Sequence, residues 1–289
     1  MSFEDRLREC ADLIEEAFDQ ALQDTYPEGG LKDAIRYAAR GGKRLRGFLV
    51  LESAELYGVS ADLAMNAALA VESIHAYSLV HDDLPCMDDD DMRRGQPTVH
   101  KKWDEATAIL AGDALQSLAF ERLAMGESPA DRKVELIRTL ARASGMAGMV
   151  YGQALDIAAE KAATPLTLDG ITELQAGKTG ALIEWSACAG PRMAGADVGA
   201  LSTYARALGL AFQIADDILD VTGNEAKAGK RLGKDSAAGK ATFVSLLGLD
   251  AARHKARDLV AEAIDALCLY DAHADNLRQA ASFAITREF

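Results

Sequence analysis

The side chains with the clearest chemical potential lie in one short stretch, HDDLPCMDDDDMRRG, which begins at His81. Six of its residues are aspartates, and Arg93 and Arg94 come after them. Carboxylate oxygens are hard ligands that suit Mg²⁺ and leave coordination positions open for water and phosphate oxygens. A solvated acidic loop is the simpler interpretation, and the composition of the stretch alone does not decide between the two.

Pro85 favours a metal site, because its position controls how the carboxylates meet. The segment before the stretch, AVESIHAYSLV, is apolar and predicted to be helical, and proline should end that helix just after Asp82 and Asp83. The chain can then turn and bring Asp88 back towards the pair. We therefore expect three carboxylates to converge at the end of a central helix.

A second acidic group lies in FQIADDILD, which contains Asp216, Asp217 and Asp220. On a helix, Asp216 and Asp220 share one face and lie about 6 Å apart along the axis. Their neighbours are apolar, and burying unpaired charge is costly. A cationic partner must therefore face these carboxylates, either structural arginines or a metal bound to phosphate.

Basic residues are clustered as well, which indicates anionic ligands. GGKRLRG supplies Lys43, Arg44 and Arg46 behind two glycines and predicts an anion cradle near a helix start. Another group follows the second acidic motif in GKRLGKDSAAGK and comprises Lys230, Lys234 and Lys240. Any one of these residues could be ordinary surface charge, but together they predict binding places for more than one phosphate group.

The elements that must position these side chains are predicted to be helices. Phe3, Leu7, Ala11, Ile14 and Phe18 recur at steps of three and four, the period of an amphipathic helix, and similar patterns continue nearly to the end. The other predicted helical segments are 31–57, 61–80, 103–125, 132–158, 172–189, 198–221, 242–249 and 251–267. Because several are apolar on most of their circumference, we expect an all-α bundle with the acidic motifs on central helices.

Length and composition favour a single domain, residues 1–289, in the cytoplasm. No Pro-, Ser- or Gly-rich linker divides the 289 residues, which suffice for a large core. A formal net charge of −14 disfavours nucleic acid and anionic membrane surfaces as partners, since both reward a basic face. No apolar run reaches the roughly 20 residues of a membrane span, and the charged start lacks a signal core. Four cysteines without a CxxC pair predict isolated reduced thiols.

In order and separation, GGKRLRG, HDDLPCMDDDDMRRG, GKTG and FQIADDILD resemble the motifs of the trans-isoprenyl diphosphate synthases, especially the bacterial short-chain farnesyl diphosphate synthases. The resemblance extends over essentially the whole chain, and the paired Asp-rich motifs are its most specific part. It implies a homodimer, each copy a bundle of about ten or more mostly antiparallel helices around a deep central cavity. One departure is Gly47, where the family usually has proline; we expect it to loosen the loop slightly without removing a ligand.

The resemblance also implies roles for individual residues around two substrates. Roughly three Mg²⁺ ions, with Mn²⁺ as a substitute, are expected to hold the diphosphate of dimethylallyl or geranyl diphosphate. The direct metal ligands would be Asp82, Asp88 and Asp216, assisted by Asp83, Asp217 and Asp220. The basic contacts to that diphosphate would be Arg93, Lys178, Lys230 and Lys240. The isopentenyl diphosphate site would comprise Lys43, Arg46, His75, Arg94 and Phe212, and the residues lining the reacting carbons would be Thr179 and Gln213.

The implied reaction is the head-to-tail condensation of isopentenyl diphosphate with the allylic substrate. Metal ions and basic side chains stabilise the departing diphosphate, the alkene attacks the allylic cation, and a proton is then lost. In GKTG, glycines bracket Lys178 and Thr179, so a kinked helix could aim a backbone carbonyl and a hydroxyl at the cation. A helix-ending turn fits the same motif without the resemblance.

Product length is expected to be set on the helix before the first acidic motif. Ser78 is small and leaves room, whereas Tyr77, about 7.5 Å along the axis from Asp82, is the first large side chain. An aromatic residue there, with the longer DDxxxxD spacing, resembles the farnesyl type and implies a C15 product. The histidines expected at the surface are His100, His254 and His273.

Other functions fit parts of the sequence. A geranyl or geranylgeranyl diphosphate synthase would differ in product length. A terpene cyclase or head-to-head synthase also pairs Asp-rich motifs but has no need for the second phosphate set at Lys43, Arg46 and Arg94. A noncatalytic prenyltransferase-like regulatory subunit should have lost motif residues, and a plain acidic metal-binding protein would leave the basic clusters unexplained.

Overall fold

The computed structural model describes residues 2–162, 164–222 and 241–286, and nearly all regular structure in these ranges is helical. Within them, the strands are limited to β1 (Met92–Arg93) and β2 (Gln96–Pro97), which pair antiparallel as a small hairpin. The all-α prediction is confirmed. Three lysines of the predicted phosphate contacts lie outside the described residues, namely Lys230, Lys234 and Lys240.

The helices follow one another with short connections. In chain order they are α1 Phe3–Thr25, α2 Gly30–Ala39, α3 Leu45–Leu56, α4 Ala61–Asp82, α5 Val99–Lys102, α6 Glu105–Ala124, α7 Ala130–Ser144, α8 Met149–Glu160, α9 Leu168–Gln175, α10 Ala181–Ala187, α11 Ala189–Ala194, α12 Gly199–Thr222, α13 Phe243–Leu247, α14 Leu249–Ala266 and α15 Asp275–Thr286. A π-helix, Ala176–Gly180, joins α9 to α10, and a 3₁₀ segment, Cys268–Ala274, precedes α15.

Glycines divide two of the predicted helices, so those two predictions are wrong as continuous segments. The predicted helix 31–57 is broken between α2 and α3, where Gly41 and Gly42 have φ values of 73° and 85° that glycine reaches without steric cost. The predicted helix 132–158 is broken between α7 and α8, and a Cβ on Gly148 would collide with the backbone of α7. Helix α15 was not predicted, because its buried positions are mostly alanines and give a weak periodic signal.

The helices bury their apolar faces in two large clusters, one centred on α4 and α6 and the other on α3, α12 and α15. Trp185 and Tyr204 are the largest fully buried side chains. The Tyr204 hydroxyl donates to the Leu277 carbonyl at 2.8 Å, and Trp185 Nε1 donates to Thr139 Oγ1 at 3.0 Å. Both aromatic residues therefore contribute apolar area without leaving a buried polar group unpaired.

Helix α4 is a central helix that carries the first acidic motif at its end. In the described ranges it is the one helix long and apolar enough to cross a membrane, but 67% of its apolar window is buried inside the protein. It packs against α6 and α3. Its apolar character is thus explained by its place in the core, and the acidic motif begins where that core ends.

Candidate active site

The first acidic motif turns back on itself at the end of α4, as Pro85 predicts. The Asp88 N–H donates to the Asp82 carbonyl at 2.8 Å, and the Asp90 N–H donates to the Asp83 carbonyl at 3.2 Å. Helix α4 itself ends at Asp82. Backbone hydrogen bonds therefore hold the aspartates on the two sides of the turn close together.

The Asp82 carboxyl group lies in surroundings that are short of positive charge. Burial raises its pKa to about 6; Lys178 and Arg93 oppose this shift, while the carboxylates of Asp88 and Asp83 add to it. A raised carboxyl pKa means that the ionised form is destabilised, and a bound cation would relieve that destabilisation. The carboxylates of this turn thus fit an oxygen-liganded divalent cation such as Mg²⁺.

Asp83 is held by an arginine of the hairpin. Arg93 Nε donates to Asp83 Oδ1 at 2.8 Å and to Oδ2 at 3.0 Å, and its Nη2 lies 2.6 Å from Oδ1. Burial raises the pKa of Asp83, and the hydrogen bond from Arg93 opposes that rise. This pair fastens β1 to the acidic turn, so the hairpin and the end of α4 form one unit.

The second acidic motif lies near the C-terminal end of α12, so Asp216 and Asp220 are one helical turn apart, as predicted. Asp217 Oδ2 accepts the N–H of Phe243, the first residue of α13, at 2.6 Å. Burial lowers the pKa of Arg46, while nearby Asp216 raises it. Helix α12 therefore places Asp216 next to a basic residue of α3.

GKTG lies in the π-helix Ala176–Gly180, so the motif interrupts the regular α-helix without ending it; such segments are common at functional sites. Lys178 Nζ donates to Asp156 Oδ2 of α8 at 2.6 Å. A Cβ on Gly152 would lie 2.6 Å from Lys178 Cα and 2.7 Å from the carbonyl carbon of Gly177. Glycine at position 152 thus lets α8 approach the π-helix closely and brings Asp156 to Lys178.

Helix α12 touches the other side of the π-helix. A Cβ on Gly209 would lie 3.3 Å from Gly180 Cα. Gln213 follows one turn later on α12, and Thr179 lies in the π-helix itself. Phe212 packs against the core cluster of α3, α12 and α15. The structure therefore places Thr179 and Gln213 on adjoining elements, as residues lining one site must be.

His75 lies in the most basic part of the site. Burial lowers its pKa well below 6.5, and positive charges lower it further. These charges belong to Arg46, Arg94, Arg93 and Arg44. The imidazole is consequently neutral at physiological pH and can donate a hydrogen bond without adding charge.

The GGKRLRG segment folds against the hairpin that carries Arg94. Arg94 Nη1 donates to the carbonyls of Arg40 and Gly41 at 2.9 Å each, and a Cβ on Gly42 would lie 2.8 Å from the guanidinium carbon. Helix α3 begins at Leu45, directly after this loop, so the loop lies at a helix start; that it cradles an anion stays a prediction. Lys43 Nζ lies 4.9 Å from the ring centroid of Phe283 in α15.

Tyr77 is buried on α4 and lies near the first acidic motif. Burial and the charge of Asp82 raise its pKa to about 12. Its ring meets the His81 ring edge to face, with centroids 5.7 Å apart, and His81 Nε2 donates to the Ile109 carbonyl of α6 at 3.1 Å. Ser78 Oγ donates to the His75 carbonyl at 2.9 Å. Tyr77 thus packs against His81, which is itself hydrogen-bonded to α6.

His100 is buried, so the expectation that it lies at the surface is wrong. The Thr98 hydroxyl donates to the Asp90 carbonyl and lies 3.1 Å from His100 Nδ1, which draws the imidazole beneath the acidic turn. In the described part of the chain, one group of at least three possible ligands has its atoms within 4.8 Å of one another: Asp89, Asp91 and His100. An Asp-rich candidate metal site is therefore present beside Asp88.

Two charged residues that support the site were missed in the sequence. Asp156 pairs with Lys178, and Glu72 of α4 accepts the Gly47 N–H at 2.8 Å. Glu72 is an acidic residue within the apolar run AALAVESIHAYSLV, and that isolation was the available signal. The expected loosening at Gly47 is also wrong, because Gly47 lies within α3 and Glu72 holds its N–H.

Comparison with known proteins identifies the family. The polyprenyl synthetase model matches residues 28–279. The farnesyl diphosphate synthase of Escherichia coli (strain K12) is 47% identical over 277 residues, which are 92% of this chain and 92% of that protein. The apo structure of a FPP/GFPP synthase from Zymomonas mobilis matches with a TM-score of 0.88 and 45% identity, covering 98% of this chain and 99% of that one. Geranylgeranyl pyrophosphate synthetase from Pyrococcus horikoshii matches with a TM-score of 0.88 and 36% identity, over 99% and 98% of the two chains. The chain belongs to the polyprenyl synthetase family.

Proposed function

We propose that this chain is a Mg²⁺-dependent prenyltransferase that condenses isopentenyl diphosphate head to tail with dimethylallyl or geranyl diphosphate, giving farnesyl diphosphate. The observation that carries the proposal is an acidic site next to an arginine-rich one: burial lowers the pKa of Arg46, and the nearby charge of Asp216 partly opposes that lowering. Carboxylates bind a diphosphate through metal ions, and arginines bind one directly. Two adjoining diphosphate sites of different chemistry are what a two-substrate transfer requires.

The acidic half of the site, formed by the two aspartate motifs, binds the allylic substrate. Mg²⁺, or Mn²⁺ in its place, would supply charge stabilisation to the diphosphate when bound at this site. Asp82, Asp88 and Asp216 would provide the oxygen ligands of the metal, while Asp83 assists by fixing Arg93 beside the turn. The number of carboxylates is compatible with about three ions. Lys178, oriented by Asp156, donates to the same diphosphate.

The basic half of the site, formed by the arginine-rich residues around the start of α3, binds isopentenyl diphosphate. Arg46 Nε is buried and has no hydrogen-bond partner among the described residues, so it retains a donor for a ligand. Arg94 is held against the glycine loop, and His75 is kept neutral by its surroundings. Lys43, at the start of the same cradle, completes the set, and Phe212 packs on the hydrocarbon. These residues fix the second substrate without metal.

The elements between the two halves protect and orient the reacting carbons. Thr179 in the π-helix and Gln213 on α12 line the allylic carbon, where their oxygens stabilise developing positive charge. The close approach of α8 and α12 to the π-helix holds these groups in place. The alkene then attacks the cation, and the released diphosphate takes the proton that is lost. The chain's own contribution is thus positioning and electrostatic stabilisation.

Tyr77 supports the C15 product. Its buried ring, held by His81 near Asp82, is placed to stop a tail that runs down α4 from the diphosphate. Ser78, with its hydroxyl turned to its own helix, leaves that route open. A geranylgeranyl or geranyl product would require the tail to stop at a different depth.

We also propose a homodimer in the cytoplasm. Ile109 and Leu110 are adjacent on α6, with 45% and 54% of their surface exposed. A second copy would cover this apolar surface by pairing equivalent faces. The four free cysteines are typical of a reducing compartment.

Release of inorganic diphosphate tests the proposed reaction. The protein is incubated with Mg²⁺ and geranyl diphosphate, isopentenyl diphosphate, or both, with EDTA as the metal-free control. Release is expected only with both substrates and Mg²⁺, because ionisation must be coupled to attack by the alkene. Rapid release from geranyl diphosphate alone would indicate a cyclase, and no release in any mixture would indicate a noncatalytic subunit.

A further inference from the structure

Helix α3 begins without a capping side chain of its own. Its N-cap residue, Arg44, has a left-handed conformation (φ 50°, ψ 37°) and makes no side-chain cap hydrogen bond. The first N–H groups of any helix lack partners within it. Gly47 is the third residue of α3, and its N–H donates to Glu72 Oε1 at 2.8 Å. A carboxylate of α4 therefore caps α3 from outside.

Glu72 is also the buried counter-charge of the arginine cluster. Its side chain is 2% exposed, and its Oε2 lies 3.5 Å from Arg44 Nη1. The Glu72 charge acts on Arg46 and Arg94, raising the pKa of each against the lowering effect of burial. A buried carboxylate is unfavourable unless it is paired; here the ion pair is with Arg44, and the charge also acts on two basic residues of one substrate site, Arg46 and Arg94.

The position of Glu72 couples two helices. Arg46 directly precedes Gly47 in α3, and His75 follows Glu72 on α4 by three residues. A negative charge at the start of α3 also interacts favourably with the helix dipole. The hydrogen bond from the Gly47 N–H to Glu72 thus fixes the position of Arg46, the second residue of α3, relative to His75 on α4.

We propose that Glu72 is the positioning residue of the isopentenyl diphosphate site. It aligns Arg46 on α3 with His75 on α4, and it does not itself contact the diphosphate, whose charge it would repel. The inference rests on the proposed function, which assigns Arg46 and His75 to that substrate.

Gly47 makes this role testable with a small change. Proline at position 47 removes the N–H that Glu72 accepts, and the first turn of a helix tolerates proline. A Cβ at this position would meet Ile14 Cδ1 and lie 3.3 Å from Glu72 Cγ, so Gly47→Pro, which also crowds Glu72, is made in an Ile14→Val background. The Ile14→Val variant, which keeps the N–H, is the matched control.

Steady-state kinetics with saturating geranyl diphosphate and Mg²⁺ test the proposal. Glu72→Ala is expected to raise the KM for isopentenyl diphosphate roughly tenfold, with kcat and the KM for geranyl diphosphate nearly unchanged. Glu72→Gln keeps an oxygen acceptor for Gly47 and should cause a smaller rise. Gly47→Pro should raise the same KM about threefold and add little in the Glu72→Ala background, because both changes break one interaction.

Arg46→Ala separates failure of the inference from failure of the proposed function. If Arg46→Ala raises the KM for isopentenyl diphosphate but Glu72→Ala does not, Glu72 has no positioning role and the site assignment stands. Equal losses for both substrates in Glu72→Ala, or additive effects with Gly47→Pro, also overturn the inference. If Arg46→Ala leaves this KM unchanged, the assignment of the site itself is wrong. Should Glu72→Ala fail to fold, Glu72→Gln and Gly47→Pro carry the same comparison.

Discussion

Replacing Asp82 with asparagine is expected to stabilise the metal-free protein while removing its catalysis. Asparagine keeps the shape of the side chain and lacks its charge. In the folded protein, burial raises the pKa of Asp82 from 3.8 to about 6. The folded chain therefore binds this proton more tightly than the unfolded chain does, and ionised Asp82 destabilises the fold.

The size and sign of the effect follow from this shift. One pKa unit corresponds to about 1.4 kcal/mol, so the full shift corresponds to about 3 kcal/mol. The protonated Asp82 carboxyl group contributes favourably to the free energy of unfolding. This contribution is complete below the pKa that Asp82 has in the unfolded chain and is lost as the pH rises through its pKa in the folded chain. About 1.4 kcal/mol of that loss falls between about pH 5 and about pH 7.5. The stability advantage of Asp82→Asn over the native chain should grow by that amount across this interval.

Urea unfolding in EDTA, followed by circular dichroism at both pH values, measures the two free energies of unfolding. Asp12→Asn, at an exposed position on α1, controls for the general effect of removing one negative charge from an acidic protein. Turnover of Asp82→Asn with Mg²⁺ should fall by about 10²–10³ or more, because a charge-stabilising element is lost. A variant no more stable than the native chain at about pH 7.5, or an advantage independent of pH, would refute the reasoning.

Three further substitutions examine other parts of the site. Asp216→Ala should lower turnover by about 10²–10³ at saturating Mg²⁺, and near-native turnover would exclude Asp216 as a metal ligand. Gly152→Ala should destabilise the protein by about 1–3 kcal/mol and lower kcat, because the added methyl group meets the backbone of Lys178. Gly30→Ala, where no atom lies within 4 Å, is its control, and equal melting temperatures for the two variants would contradict the packing argument. Tyr77→Ala should shift products from C15 towards C20 or longer, as measured by chromatography. An unchanged C15 product from a folded, active variant would mean that other residues stop the growing tail.

Residue types and spacings within single segments predicted the turn at the first acidic motif and the helix that carries the second. Pro85 disfavours continuation of the helix that precedes it, so an end of α4 near Asp82 and a turn that lets Asp88 come back were predicted from residue type and position. On the helix predicted for this segment, the spacing of Asp216 and Asp220 places both on one face. The apolar period predicted amphipathic helices such as α1, whose Phe3, Leu7 and Ile14 are buried on one face.

Contacts between distant segments could not be predicted in this way. The Lys178 to Asp156 ion pair depends on how closely α8 approaches the π-helix, which Gly152 permits only in the folded protein. The isolation of Glu72 in an apolar run marks it as unusual, but its partner could not be predicted because it depends on the packing of α4 against the start of α3. The break between α2 and α3 was missed because apolar residues continue in helical register across the two glycines.

The product formed from dimethylallyl diphosphate and excess isopentenyl diphosphate with Mg²⁺ tests the central claim most directly. After dephosphorylation, chromatography separates the C10, C15 and C20 alcohols. The proposed two-site condensation, in which Tyr77 stops the growing tail, predicts that the C10 product appears first and that the C15 product then accumulates to a plateau. EDTA should abolish both products. A main product of C20 or longer would contradict the role of Tyr77 in limiting the chain to C15. The absence of any chain elongation with all three components present would contradict the proposed function.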